Sequence, residues 1–125
     1  MTKDFKTPLN IPLTFEDMEL GLKVARVGLG KVDYRADTLR CDALAAEFFG
    51  LDAGVELPRA ELHARIHPED WPQVEEGLTC LLSPEHPLQV LDMTHRILVP
   101  DVPLRWVNAR KQVTYDAEGL PVEGV

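Results

Sequence analysis

The 125-residue chain has the length of one domain and a formal net charge of −8 at pH 7. Hydrophobic residues make up 45% and charged residues 27%, as in ordinary globular domains, and no run approaches the roughly eighteen apolar residues of a membrane span. The acidic balance repels polyanions, so we expect no nucleic-acid partner and no membrane insertion. The N-terminal stretch MTKDFKTPLN lacks the apolar segment of a secretory signal, which predicts a cytoplasmic protein.

The first helix is expected after an irregular start. Residues 1–13 contain two prolines and no sustained period, so we predict a tail or linker before a domain spanning 14–125. Thr14 and Asp17 resemble a capping box and predict a helix over about 15–26. Its apolar residues recur at helical spacing and are Phe15, Met18, Leu22 and Ala25. This narrow stripe predicts a helix that covers a sheet or pairs with a second copy.

Short elements follow. Residues 29–34 and 38–41 read as two strands around a turn. Asp42 is suited to cap a compact helix that Gly50 ends, and 51–57 is expected to be loop. Pro58 suits the first turn of another short helix, which the proline after His67 ends.

The second half of the chain starts with the clearest helix. Asp70 is expected to cap a helix over about 71–82. After a proline-containing loop at 83–87, residues 90–97 alternate with the two-residue period of a strand. Residues 104–113 and 120–125 predict two further strands. This order predicts an α+β domain built on an antiparallel sheet.

The alternation assigns side chains to the two faces of these strands. In the first, Leu91, Met93, His95 and Ile97 share one face, and Asp92, Thr94 and Arg96 share the other. In the second, Val107, Ala109 and Val113 share one face, and Leu104, Trp106 and Asn108 share the other. One face of each strand should therefore meet the helices.

Four stretches, in this order and spacing, resemble a bacterial PAS domain, similar to the PAS fold-3 branch. They are Ala46 to Leu51, the corner His67-Pro68-Glu69-Asp70, the hairpin Arg96 to Val107, and the closing turn Asp116 to Val122. The resemblance implies a five-stranded antiparallel sheet in the order 2-1-5-4-3, with short helices enclosing a pocket on one face. It also implies that the N-terminal helix covers the other face or mediates dimerisation.

Two departures from the family pattern stand out. Val102-Pro103 replace the glycine usual at the hairpin tip, so we expect no positive φ there. The chain also stops before the exit segment that leads to an effector in this family, so we interpret it as an excised sensor.

Catalytic and metal chemistry have weak support. His63 and His67 with Glu61, Glu69 and Asp70 are the raw material of acid–base catalysis or metal binding. Pro68 interrupts the helix that would align the two histidines, and Asp70 has an expected capping role. No known catalytic motif occurs, so we predict no enzyme, no catalytic residue and no metal site.

The resemblance implies that a cofactor could occupy the pocket, because PAS domains hold flavin, haem or small acids. Neither Cys41 nor Cys80, both expected to be buried and reduced, lies in the reactive-cysteine motif of the flavin-binding branch, which disfavours flavin. Haem needs an inward axial ligand, and His95 is the one histidine expected to face inward. A core histidine hydrogen-bonded to backbone is the preferred alternative.

The predicted pocket combines the inward positions of helices and strands. Its candidate ligand-binding residues are Phe48, Leu62, Ile66, Val74, Leu78, Met93, His95, Ile97, Val107 and Ala109. The alternative for each is plain hydrophobic core. Phe15, Met18, Leu22 and Trp106 are candidate dimer-interface residues, with packing of Trp106 under the first helix as the preferred alternative for that residue.

These expectations favour a non-enzymatic sensory domain that binds a small ligand or partner. It would form a homodimer and relay a signal to an attached histidine kinase or cyclic-dinucleotide enzyme. A dimerisation module with a filled core is the second hypothesis, and a small α+β enzyme is the third.

Overall fold

The computed structural model describes residues 11–83 and 90–125. Four helices and six strands follow one another along this part of the chain. In chain order they are α1 Phe15–Val24, β1 Gly30–Asp33, β2 Thr38–Cys41, α2 Ala43–Phe49, β3 Leu57–Pro58, α3 Arg59–His63, α4 Trp71–Leu82, β4 Val90–Ile97, β5 Arg105–Tyr115 and β6 Pro121–Gly124. The predicted tail at 1–13 lies largely outside the described residues, as does most of the predicted loop after α4.

One antiparallel sheet contains all six strands in the order β3-β2-β1-β6-β5-β4. Without the two-residue β3, the remaining five strands have the predicted order 2-1-5-4-3. The extra edge strand pairs Leu57 with Leu39, at the end of a segment predicted to be loop. A strand of two residues is too short to show an alternating pattern, so the sequence does not predict it.

The long hairpin of β4 and β5 forms the free half of the sheet. Its register runs from Val90 opposite Gln112 to Ile97 opposite Arg105. The predicted faces are confirmed, because His95 and Ile97 are buried while Asp92 and Thr94 are exposed. The inner face of this hairpin meets α4, where Val74 and Leu78 are buried and pack with Leu91 and Met93.

A second buried cluster fills the other half of the sheet. It joins β1 and β2 to α2 and consists of Val32, Leu39, Cys41, Ala45 and Ala46. Asp42 caps α2 as predicted, since its carboxylate accepts a hydrogen bond from the Ala45 amide at 2.8 Å. Gly28 lets the chain approach α2 closely, because a Cβ there would lie 2.5 Å from the Ala45 nitrogen. The two clusters leave room between the halves of the inner face.

The N-terminal helix differs from its prediction in length and in packing. The capping box at Thr14 and Asp17 is present, but α1 ends at Val24, where 26 was predicted, because Arg26 adopts a left-handed φ of 56°. The helix buries none of its residues. It therefore covers neither face of the sheet within the described part of the chain.

The tip of the β4–β5 hairpin corrects a second expectation. Asp101 has a φ of 63°, although the Val102-Pro103 sequence led us to expect no positive φ there. Aspartate is one of the few non-glycine residues that tolerate this conformation, so the turn moves the left-handed position to Asp101.

Within residues 11–83 and 90–125, no helix combines the length and the apolar character needed to span a membrane.

Candidate functional site

A cavity of about 420 Å³, partly open to solvent, lies between the helices and the inner face of the sheet. Nine of the ten predicted pocket residues line it, namely Phe48, Leu62, Ile66, Val74, Leu78, Met93, His95, Val107 and Ala109. Ile97, the tenth, is fully buried but does not line the cavity. Ile97 forms an isolated β-bridge with Ile66, so the segment around Ile66 packs against that end of the strand. Whether the nine residues contact a ligand stays a prediction.

Strand alternation and helix spacing explain why these residues converge. Met93, His95, Val107 and Ala109 occupy alternate positions of two paired strands, and Met93 lies directly opposite Ala109 in the register. Val74 and Leu78 are one turn apart on α4 and face them. The resulting wall is apolar with a few polar groups, as in pockets that hold small organic molecules.

His95 is the most buried polar side chain on this wall, with 3% of its surface exposed. Its Nδ1 lies 3.3 Å from the carbonyl oxygen of Arg96. If Nδ1 carries the proton and donates to that oxygen, Nε2 is left unprotonated as an acceptor. The predicted inward orientation is confirmed.

His63 is a second histidine on the cavity wall, contributed by α3. Its ring centroid lies 4.9 Å from that of Trp71. Burial lowers the pKa of His63 to about 4, helped by the positive charges of Arg59 and Lys111. The imidazole is therefore neutral at pH 7 and offers one N–H donor and one acceptor.

Lys111 also lines the cavity and is absent from the predicted pocket. Burial, together with the positive charge of Arg59, lowers its pKa to about 8. The alternation of the strand could have identified it, because Lys111 lies between Ala109 and Val113 on the face already assigned to the interior. Because lysine is usually a surface residue, its inward position is recognised only when the alternation along the strand is followed.

Cys41 lies on the cavity wall as well. Its thiol is buried, which raises its pKa, and the nearby carboxylate of Asp42 raises it further. A protonated thiol is a poor nucleophile and behaves as a small apolar group. Cys80, expected to be buried, is only partly so because it lies on the more exposed side of α4.

The residues considered for acid–base chemistry do not converge. His63 faces the cavity, whereas Nδ1 of His67 accepts a hydrogen bond from the Glu69 amide at 3.1 Å. Glu69 and Asp70 are both bound by Arg96 instead. In the described part of the chain, no three His, Cys, Asp or Glu side chains are grouped as a metal site would require.

The corner at Asp70 corrects the predicted cap. Asp70 occupies the cap position of α4, but its side chain makes no capping hydrogen bond. Its Oδ2 accepts from the backbone nitrogen of Arg96 at 2.8 Å and from Nε at 3.0 Å, and Oδ1 accepts from Nη2 at 2.8 Å. This bidentate, charge-assisted pairing is stronger than one helix amide could offer, and it lowers the pKa of Asp70.

The four candidate interface residues are largely exposed to solvent, except Leu22. Phe15 is 73% and Met18 57% exposed, and Leu22 is half-buried. Trp106 is 62% exposed on the outer face of the sheet, with the Arg96 guanidinium 5.5 Å from its ring centroid. The preferred expectation that Trp106 packs under the first helix is therefore wrong, because α1 does not cover this face.

No protein-family model matches the chain, and no curated protein matches it either. Solved structures do. The chain is similar to a sensory box histidine kinase/response regulator from Burkholderia thailandensis E264, with a TM-score of 0.71 and 19% identity over 86% of this chain and 78% of that one. It is similar to the N-terminal domain of a diguanylate cyclase with PAS/PAC sensor from Marinobacter aquaeolei, with a TM-score of 0.64 and 16% identity over 78% and 88%. A PAS domain from Colwellia psychrerythraea matches with a TM-score of 0.57 and 10% identity over 87% and 91%. The chain thus has the PAS fold.

Proposed function

We propose that the chain is a sensory domain of a larger signalling protein, which binds a small ligand in the cavity and passes the signal to an attached effector. The observation that carries this proposal is the cavity of about 420 Å³ at the interface of helices and sheet. Its volume lies within the range of small-molecule sites, roughly 300 to 1,000 Å³. The cavity also favours this function over the second hypothesis, a dimerisation module with a filled core.

The fold supplies a route from the cavity to the rest of the chain. Met93 and His95 on the wall alternate with Thr94 and Arg96 on the outer face of the same strand. A ligand that prefers one arrangement of β4 and β5 therefore shifts the outer face as well, which is what a population shift requires. A histidine kinase or a cyclic-dinucleotide enzyme is the effector we propose, in line with the kinds of protein in which similar domains occur.

Ligand binding is tested by closing the cavity. Ala109→Leu adds a large side chain to the wall, whereas Gln112→Leu adds the same side chain to the exposed face of the same strand. We expect a metabolite library to contain a compound that raises the melting temperature of the wild-type and Gln112→Leu proteins but not of Ala109→Leu. If no compound shifts the wild type, or if one shifts all three alike, the cavity is not a ligand site.

Haem is a second candidate for the cavity, because the Nδ1 contact of His95 with a backbone carbonyl is the arrangement that orients metal-bound histidines. His95 would supply the axial ligand and the apolar wall would exclude water. Reconstitution with haemin should then give a Soret band that shifts in His95→Ala but not in His67→Ala. Equal spectra for both variants and the wild type would exclude His95 as the ligand.

Homodimerisation through α1 is proposed on the exposure of that helix. Phe15, Met18 and Val24 are each more than half exposed. The first turn of α1 is acidic and the last turn carries Lys23, so two antiparallel copies would bring opposite charges together. A second copy of the chain therefore fits this surface in both polarity and charge.

Analytical ultracentrifugation tests the dimer. We expect dimers that are lost when Met18 and Leu22 are both replaced by glutamine, and that persist when the exposed loop residue Val55 is replaced. A wild-type protein that stays monomeric at 100 μM concentration, about the range in which weak interfaces associate, would contradict the proposal.

A further inference from the structure

Lys111 is a partly buried cation on the cavity wall, without a partner among the described residues. Lys111 lies on β5 opposite Leu91, and its side chain is on the inner face with Val107 and Ala109. Among the described residues, no Asp or Glu side chain pairs with it and no hydrogen bond to its ammonium is present. A partly buried ammonium without either is destabilising, because part of its hydration is lost and not replaced.

Other basic groups near the cavity are already engaged. The Arg59 guanidinium lies 3.0 Å from Asp37 and stacks on the Tyr34 ring at 4.8 Å. Arg110 pairs with Asp92 at 3.4 Å on the exposed face. Arg26, which also lines the cavity, is an exposed residue whose guanidinium lies 5.9 Å from the Phe48 ring centroid. Lys111 differs from all three in that it has neither a carboxylate nor a ring partner among the described residues.

The lining of the cavity has the opposite charge balance to the chain. The sequence contains 21 acidic residues, yet none of the described side chains that line the cavity is Asp or Glu. The lining also contains Arg26, Arg110 and His95, and the neutral imidazole of His63. An anion placed near Lys111 would meet an attractive charge and no repelling carboxylate side chain of the lining.

The composition of the wall narrows the class of anion. Arg110 pairs with Asp92 and Arg26 lies over the Phe48 ring, which leaves Lys111 as the cation of the lining without a partner among the described residues. Lys111 and His63 can neutralise and bond a single negative charge, whereas a dianionic phosphate is usually held by several cations or by a series of backbone amides. The rest of the wall is apolar, with Val74, Leu78 and Met93 as examples. The ligand should therefore have one anionic end and an apolar body.

We propose that the cavity binds a small monocarboxylate with an apolar body, whose carboxylate pairs with the Lys111 ammonium and accepts a hydrogen bond from His63. This inference rests on the proposed function, since it assigns the chemical class of the sensed ligand. The ion pair would also stabilise the domain, because the carboxylate neutralises a charge that is partly removed from water.

Three acids and their primary amides test the inference: hexanoate, octanoate and 3-phenylpropanoate. Each amide keeps the shape of its acid and removes the charge. Calorimetric titration of the wild type should show at least one acid binding about tenfold more tightly than its amide, as a charged hydrogen-bonded pair provides. In Lys111→Met this preference should disappear while the amide still binds.

Two further variants control the experiment. Lys31→Met removes an exposed lysine that pairs with Glu123 at 3.4 Å, and it should keep the preference for the acid. Lys111→Arg retains the charge and should restore part of the preference if the ammonium acts as a cation.

Each unexpected result has a separate meaning. An amide that binds as tightly as its acid, or a preference that survives in Lys111→Met, overturns the carboxylate inference and leaves the proposed function intact. The same holds if a neutral metabolite binds while all three acids fail. If neither the acids, the amides nor the metabolite library bind, the proposed ligand-binding function fails with it.

Discussion

Arg96 on β4 and Lys111 on β5 are two cations of the same hairpin in opposite environments. Arg96 faces outward, and the two carboxylates of Asp70 and Glu69 bind it at 2.8 and 3.2 Å. Lys111 faces inward and meets no carboxylate among the described residues. The difference indicates that Arg96 holds the fold together, whereas Lys111 is maintained at a cost to stability.

The shifts in pKa have the same pattern. The pairing with Arg96 lowers the pKa of Asp70, which means that the folded state favours the charged pair. Burial lowers the pKa of Lys111 to about 8, so the folded state disfavours its charge. A charge that folding disfavours is a candidate for a role in binding.

The largest expected effect is the loss of the Arg96 pair. Arg96→Met keeps the apolar part of the side chain but removes two of the three hydrogen bonds that Arg96 donates to the Asp70 carboxylate. The bond from the backbone nitrogen remains. We expect the melting temperature to fall by several degrees, because a partly buried carboxylate loses its counter-charge. Thermal unfolding followed by circular dichroism measures the change.

Arg110→Met is the matched control for that variant. It removes an ion pair with Asp92 in which both side chains are mostly exposed, so stability should change by less than about 0.5 kcal/mol. If the two variants lose the same amount of stability, Arg96 is no more than a surface pair.

Lys111→Met should raise the stability of the fold, by less than Arg96→Met lowers it. Replacing the ammonium by a thioether of similar length removes the desolvation cost, so we expect the free energy of unfolding at pH 7 to rise by about 1–2 kcal/mol. Urea unfolding without ligand measures it. A loss of stability would mean that Lys111 has a stabilising partner in the folded state.

The smallest expected effect is the pH dependence of that gain. Between about pH 8 and 10.5, the unfolded chain still binds a proton on Lys111 that the folded chain has released, so wild-type stability rises with pH through this group. The advantage of Lys111→Met should therefore shrink as pH increases across this range. Arg59, His63 and Cys41 surround the ammonium, and because both proteins retain them, the difference isolates Lys111.

An advantage for Lys111→Met that stays constant from pH 7 to 10 would contradict the lowered pKa. The pair of measurements thus separates the charge of Lys111 from the shape of its side chain.

Local patterns predicted much of the architecture. The helix at 71–82 and the strands at 38–41 and 90–97 have the predicted bounds, because periodicity and capping residues are properties of neighbouring positions. Helix spacing and strand alternation together brought nine of the ten predicted residues to the cavity wall. Lys111 was missed although alternation assigns it inward, because its chemical type suggested the surface.

The sequence by itself determined the order of the elements, the faces of the strands and the residues available for a pocket. Only the tertiary structure decided that Asp70 binds Arg96, 26 positions away, that α1 buries no residue, and that Ile97 is filled core while its neighbours on the same face line a cavity. The physical reason is that hydrogen-bond partners and empty volume depend on how distant segments meet. Lys111 shows this most directly, because only the assembled cavity reveals that no described carboxylate pairs with its ammonium.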